Sequence, residues 1–373
     1  MSAPRFIDIH LLQTLPYSNI NRDDLGSPKS LVYGGTDRTR VSSQSWKRAV
    51  RLAVETALAD PAARTRRLPQ QVSQRLQARE WAKDAADAAG AQVLLSATKE
   101  GLKIEQDGSS SVLLYLPTAA LDELADLAHE HREAIEGQVG KKKPAAVLPG
   151  ARIGEILKSR NGTINMFGRM LAELPGAEVD GTVQVAHAFT THGTEPEIDF
   201  FTAVDDLNPP DARGSGHMNS AEFSAGVFYR YASVDIDGLL HNLGDDTGMA
   251  RDLTREFLTA FISAMPTGKQ NSTAAHTLPD LAYLAVRSDR PISLAPAFEN
   301  SVRAEAEGWA VPSRKELARY AARLRQLWGS DGISWDGYAC IDDKPLTGLG
   351  HVTDSFHDVI SKSVEVAYSG EWA

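Results

Sequence analysis

Gln44, Lys47, Arg48 and Arg51 recur at i, i+3, i+4, i+7, the spacing that sets side chains along one edge of a helix. Trp46, Val50, Ala53, Val54 and Ala57 form an apolar stripe on the other side. Serines at 42, 43 and 45 precede it, where a helix start favours hydroxyl caps. Free N–H groups and the helix dipole both favour an anion at such an end. Followed by cations, the segment offers phosphate binding, although the same charges also suit an ordinary solvated helix face. Other chemistry rests on acids and imidazoles. Asp199, Asp205 and Asp206 can in principle hold a divalent ion, or they can shape turns and meet a neighbouring molecule. His187 and His192 fall on a predicted strand with odd spacing, so they point to opposite faces and cannot share one metal without distortion. The sequence has no Walker A loop, no Gly-x-Ser-x-Gly elbow and no His-Glu-x-x-His pair. No enzymatic reaction, cofactor or metal is therefore expected.

The elements that must carry these residues belong to a globular chain. Its 373 residues are 42% apolar and 24% charged, with room for one large or two ordinary domains. No apolar run reaches bilayer length, and Asp8 with His10 interrupts the first apolar stretch, unlike a signal peptide. The single cysteine, Cys340, excludes an internal disulfide and a cysteine-built zinc site. These features predict a cytoplasmic protein without a membrane partner. The net charge of -10 argues on its face against nucleic acid. Its distribution does not: residues 1–51 carry eight Lys/Arg against four acids, a local +4, which leaves -14 for the remainder. Because screening confines each charge to about 8 Å at physiological salt, a local cluster is what a phosphate meets.

Alternation over 5–12 predicts a strand with Ile7, Ile9 and Leu11 on one face and Asp8 and His10 on the other. A long loop is expected from Pro16 to Gly35, then a helix over 42–59. Residues 62–100 read as mostly helical, 101–105 and 112–116 as a hairpin about Asp107-Gly108, and Thr118 to about Glu136 as a helix. Lys141–Lys143 form a basic loop. A strand over 182–191, with Val183, Val185, His187 and Phe189 on one face, should pair with 226–236. The intervening 192–225 should project as an arm. A helix at 247–264, a loop at 266–276, a strand near 280–287 and a helix at 313–328 follow. The order of elements suggests an α+β fold with an RRM-type (ferredoxin-like) sheet carrying insertions.

Several blocks together resemble one family: Asn21-Arg22-Asp23-Asp24-Leu25-Gly26, Gly34-Gly35, Arg40 through Ser45 into Lys47-Arg48-Ala49, Phe167-Gly168-Arg169-Met170, Val185 to Ala188, Thr190-Thr191-His192, Asp199 to Asp206, and Glu222 to Tyr231. In order and spacing, over about residues 6–328, they resemble CasC, the backbone subunit of the type I-E CRISPR Cascade complex. The resemblance implies an RRM-like palm from 1–60 and 161–373, a mainly helical fingers insertion over 61–160, and a β-hairpin thumb made from 192–225. It implies a protein without catalysis that stacks head to tail along CRISPR RNA, kinks the guide, and displays its bases for pairing with target DNA. Implied partners are further copies of itself, the large, small, crRNA-processing and second RRM-like subunits, and a helicase-nuclease recruited by the complex.

By the same resemblance, Arg22 and Lys29 match positions that contact the guide backbone, and Gly268-Lys269-Gln270 a loop near the RNA. Arg169, Ser42, Gln44, Lys47 and Arg51 complete the expected RNA-binding set. Met170, Phe201, Thr202 and Met218 correspond to wedge or flanking positions at the kink, with Phe200 beside them; each apolar one also reads as ordinary core. Pro209, Pro210, Asp211 and Arg213 look like an insertion at the arm tip. The Lys141–Lys143 loop can touch DNA or simply be solvated. Related backbone subunits of other CRISPR types cleave target RNA with a thumb acid, which makes a metal-dependent ribonuclease acting through Asp205 and Asp206 the alternative reading.

Overall fold

The structure, a computed structural model, describes residues 5–203, 217–306 and 308–369; the side chains of 202, 203, 217 and 218 are not among what it describes. Asp205, Asp206, Pro209, Pro210, Asp211 and Arg213 lie outside the described residues. The chain divides into two compact units.

The first unit comprises residues 1–53, 183–240 and 246–373. It begins with strand β1, Phe6–Ser18. Ile7, Ile9 and Leu11 are buried, and so are Asp8, His10 and Gln13, because β1 runs through the middle of a sheet covered on both faces. Much of the expected Pro16–Gly35 loop is regular structure. Strand β1 extends into it, and β2 (Ser30–Tyr33) folds back on β3 (Thr36–Val41). Gly34 and Gly35, with φ of 58° and 73°, supply the two left-handed residues that a two-residue hairpin turn needs. Helix α1, Ser43–Ala57, buries Trp46, Val50 and Val54 of its apolar stripe, whereas Ala57 is exposed.

Helix α1 carries the chain into the second unit, residues 54–182 with 241–245. The expected limits of the insertion, 61 and 160, fall inside it. Here β4 (Ala62–Thr65), α2 (Leu68–Gln77), α3 (Lys83–Ser96), β5 (Leu114–Pro117) and α4 (Thr118–Glu130) surround a core that includes Val72, Leu76, Val93, Leu94, Leu121 and Leu124. Helices α2 and α3 pack closely because α3 presents alanines and Gly90; a Cβ at Gly90 would stand 2.2 Å from the Pro69 carbonyl. Strand β5 pairs with β4, not with 101–105 as expected. The Asp107-Gly108 turn closes too early for that hairpin, with Glu105 N–H donating to the Ser109 carbonyl and a single bridge between Ile104 and Ser110. The helix expected to reach Glu136 breaks at His131, whose φ of -107° leaves helical geometry.

The chain returns to the first unit with β6 (Val183–Val185), β7 (Ala188–Thr190), β8 (Glu197–Ala203), β9 (His217–Asp235), β10 (Leu281–Arg287), β11 (Ile333–Cys340) and β12 (His351–Val352). The sheet runs β12-β11-β10-β1-β9-β7-β3-β2, with β6 and β8 also on β9; β11–β12 is parallel and the other pairs are antiparallel. The strand expected over 182–191 is interrupted where Ala186 N–H donates to the Tyr231 carbonyl. That irregularity turns His187 out to solvent, away from the face shared by its predicted companions. Residues beyond 328, to which the sequence assigned no role, add β11, β12 and the helix Phe356–Ala367.

The sheet face bearing Leu12, Tyr229 and Tyr283 is covered by the helix Ala310–Trp328 through Leu317, Ala318 and Ala321. Beneath it His10 stacks between Tyr231 and Tyr283, its cross-strand neighbours, at 4.9 and 5.4 Å between ring centroids. Asp8 accepts hydrogen bonds from the Tyr231 hydroxyl and the Ile292 amide, each 2.9 Å. Burial raises the Asp8 carboxyl to about 6 and lowers the His10 imidazole to about 3. The two act oppositely on stability. Asp8, raised on folding, contributes stability present below its ordinary 3.8 and lost as pH rises through about 6. His10, depressed on folding, contributes stability present above 6.5 and lost as pH falls toward 3. Melting temperature followed from pH 6.5 to pH 4 should therefore fall less for His10→Gln than for the unaltered chain. Parallel curves would assign the acid loss to other groups.

Candidate nucleic-acid interface

In the first unit three segments meet around the start of α1. Asn21 joins two of them: its Oδ1 accepts from Ser42 N–H at 2.7 Å and its carbonyl accepts from Lys29 N–H at 3.1 Å. Lys29 in turn accepts the Arg40 amide at 2.7 Å. Asp23 holds the loop tip, accepting from the Leu25 and Ser27 amides at 2.9 Å each, and Asn19 donates to Gly26 O at 2.9 Å and Glu222 O at 2.8 Å. Arg22 is left exposed and Lys29 half-buried. The third segment is the loop after the helix Thr247–Ser263. Gly268 lies so close to this ordered loop that a Cβ would stand 2.7 Å from Ile20 O. That contact seats Gly268 beside the Arg22 loop, and Lys269 follows it in left-handed geometry at φ 55°.

At the helix start Ser42 acts through its backbone. Its carbonyl accepts from Ser45 and Trp46 N–H, and the residue is buried. The Ser43 amide donates to His187 Nδ1 at 3.1 Å, so an imidazole nitrogen already serves one of the first N–H groups. Gln44 and Arg48 are exposed. Lys47 and Arg51, expected to be open for a partner, are half-buried and each interacts within the protein. Arg38, one of the eight cations counted before residue 52, is fully buried and donates to the carbonyls of Thr190 (2.9 Å) and Phe298 (3.1 Å).

Helix α1 is fixed to the sheet from below. Arg230 of β9 is buried, with its guanidinium carbon 3.6 Å from the Trp46 ring centroid and 4.7 Å from that of Phe261. It donates to Gln13 Oε1 at 2.6 Å and to the Phe261 carbonyl. Burial pulls Arg230 down to about 9. Sequence patterning finds Trp46 but not its partner, because Arg230 sits in an alternating strand where a cation reads as solvent-facing.

Strands β8 and β9 form a hairpin with Glu197 opposite Phe223 and Ala203 opposite His217. Phe200 is 72% exposed and Phe201 45%, on opposite faces, so neither belongs to a core. Thr202 and Met218 pair directly in this hairpin; their side chains lie outside the described residues. Asp199 is exposed on it. His192 is buried with Nδ1 2.9 Å from Gly193 O and Nε2 accepting from Val227 N–H at 3.2 Å, and burial lowers its pKa. Among the described residues no three potential ligands gather into a metal site, and no helix is long and apolar enough to cross a membrane.

In the second unit Met170 is 91% exposed, whereas Arg169 is buried. Arg169 donates to the carbonyls of Ala177 (2.8 Å), Tyr115 (3.1 Å), Ser159 (2.8 Å) and Lys158 (2.8 Å). Its guanidinium, expected to meet RNA, is engaged in holding backbone together. The sequence block that carries it was informative for position but could not distinguish a clamp from a ligand contact.

The model of the CT1975-like protein family matches residues 7–359. A chain in a solved CRISPR RNA-guided surveillance complex, pre-nicking, is 55% identical and superposes with a TM-score of 0.92, covering 97% of this chain and 100% of that one. A chain in a second CRISPR RNA-guided surveillance complex is 48% identical with a TM-score of 0.82, again covering 97% and 100%. No match is found among curated protein sequences.

The structural role of Arg169 has a direct consequence. Arg169→Ala leaves buried carbonyls without donors, each costing about 1–3 kcal/mol, so denaturant unfolding should show a loss of at least ~3 kcal/mol. Unchanged stability with reduced RNA retention would restore the RNA-contact role.

Proposed function

The chain belongs to the CT1975-like protein family and is CasC-like, and on that footing we propose that it is the guide-binding backbone subunit of a type I-E Cascade surveillance complex. What supports this is that Asn21 ties the Arg22 loop to the start of α1 and that Gly268 packs against the same loop, the three segments carrying Arg22, Lys29, Gln44, Arg48, Lys269 and Gln270. Such groups suit contacts to phosphate and sugar, which carry no sequence information. That property fits a protein that must hold any spacer while base pairing reads the target.

The first unit is read as an RRM-like palm. Its central order β10-β1-β9-β7 supports this, with α1 between β1 and β6 and the helix Thr247–Ser263 between β9 and β10 in sequence. The second unit is the fingers and the β8–β9 hairpin the thumb. Guide RNA runs past α1 and not over the sheet, since the aromatic face used by many RRM modules is covered by Ala310–Trp328. Phe200 and Phe201, exposed on the hairpin, and Met170, exposed on the fingers, are the apolar groups able to replace stacking at a kink. The partners are CRISPR RNA, target DNA through guide pairing, further copies of the chain, the other Cascade subunits and the helicase-nuclease they recruit. The subunit performs no catalysis in this reading and works in the cytoplasm. The ribonuclease alternative rests on Asp205 and Asp206, outside the described residues.

Arg22→Ala and Lys29→Ala should each lower guide-RNA affinity equally for two unrelated spacers and reduce the salt slope of binding by about 1. Filter binding across a salt series measures both. A change confined to one spacer contradicts sequence-independent holding. Complementary RNA incubated with the assembled complex and Mg²⁺ should stay intact, and its cleavage would favour the alternative.

A further inference from the structure

Trp309 lines an open cavity of about 680 Å³ in the first unit, within the range of small-ligand sites. One face of its indole is taken: the His192 ring stacks on it at 4.1 Å between centroids and 10° between planes. The indole is nonetheless 42% exposed, which leaves its other face open. Asp37, Glu195 and Glu197 line the same cavity and are exposed. None of the three forms an ion pair among the described residues.

The walls are fixed by the backbone. Both nitrogens of His192 are engaged, Nδ1 at Gly193 O and Nε2 at the Val227 amide, so the ring beneath the indole is held in place. The Trp309 carbonyl accepts from Ser313 N–H at 3.0 Å and Ser313 Oγ at 2.7 Å. Gly193 N–H donates to Ser301 Oγ at 2.9 Å, and a Cβ on Gly193 would stand 2.7 Å from Thr36 Cγ2. Thr194 N–H donates to the Asp37 carbonyl at 3.0 Å, which brings Asp37 beside the segment carrying Glu195 and Glu197. A site built in advance loses little binding free energy to ordering.

This lining suits a cation. Three carboxylates without a cationic partner leave a negative potential in the cavity, and an indole face is the best aromatic acceptor of positive charge. One metal ion does not answer it: among the described residues no three potential ligands gather into a metal site, so these carboxylates stand too far apart to share an ion. A ligand with its charges spread along an apolar chain matches that spacing. Its methylenes lie on the indole while its ammonium groups reach separate carboxylates. The same acids repel phosphate and keep a nucleic-acid backbone out. We propose that this cleft binds a linear aliphatic polyamine of the putrescine–spermidine class, laid across Trp309 with its ammonium groups at Asp37, Glu195 and Glu197. The inference stands independently of the guide-binding reading.

Isothermal titration calorimetry of the full chain, freed of RNA by nuclease, tests this with spermidine as the probe. The unaltered chain should bind one spermidine saturably, and Mg²⁺ at equal ionic strength should not displace it. Trp309→Ala should weaken binding by about three-fold or more, and Trp309→Phe, which keeps an aromatic face, by less. Because Trp309 also packs on His192, Glu195→Gln supplies a second variant at an exposed position, and it should weaken binding by about two-fold or more. Unaltered affinity in either Trp309→Ala or Glu195→Gln, absence of saturable binding, or displacement by Mg²⁺ overturns the site and leaves only diffuse attraction to an acidic surface. Tighter binding of arginine amide than of spermidine also overturns it and assigns the cleft to an arginine of a protein partner. Each of these results leaves the guide-binding reading standing, since that reading is tested by RNA retention.

Discussion

Arg230 stands inside the first unit with its charge against two aromatic faces and no carboxylate bonded to it among the described residues. A buried cation ordinarily costs several kcal/mol unless its surroundings compensate. Here two hydrogen-bond acceptors and the indole of Trp46 do so, and a desolvated cation–π contact of this kind is worth about 2 kcal/mol. Removing the indole would take away the closest of these compensations and leave the two acceptors and the Phe261 ring. Trp46 therefore has one seat, and α1 one position on the sheet. The rest of the proposed surface is referenced to that position: Asn21 ties the Arg22 loop to Ser42, and Gly268 ties the Lys269 loop to the Arg22 loop.

The polar centre of the sheet follows a different logic. Asp8, His10, Tyr229, Tyr231, Tyr283 and Asp336 are buried or nearly so and joined by hydrogen bonds. In an open sheet that row would be an attractive base-stacking surface. The helix Ala310–Trp328 converts it into core, and a satisfied polar core specifies one register of strands more sharply than an apolar one. Covering that face leaves the edge near α1 and the projecting hairpin as the parts of the unit offered to a ligand.

The elements legible in the sequence were those whose residues answer a local rule. The 3.6-residue stripe located α1 to within two residues, and alternation located the start of β1 and the second half of β9. Asn21 and Asn19 were not legible as organisers, since an asparagine in a loop does not reveal which backbone groups it will meet. Arg169 was assigned to RNA and Arg38 counted in the basic cluster because nothing local marks an arginine that will be spent on carbonyls. The break at Ala186-His187 escaped for the same reason: a bulge is imposed by the partner strand, not by the strand that carries it. Lys47 and Arg51 stand between these cases, on the predicted edge of α1 but partly engaged by the protein itself.

Ultraviolet cross-linking of the RNA-loaded complex, followed by identification of the peptides that carry nucleotide adducts, tests the central claim most directly. The surface organised around α1 predicts adducts in residues 19–29, 42–51 and 266–271 of the first unit. Adducts confined to the Ala310–Trp328 helix or to the strands beyond it would contradict the account.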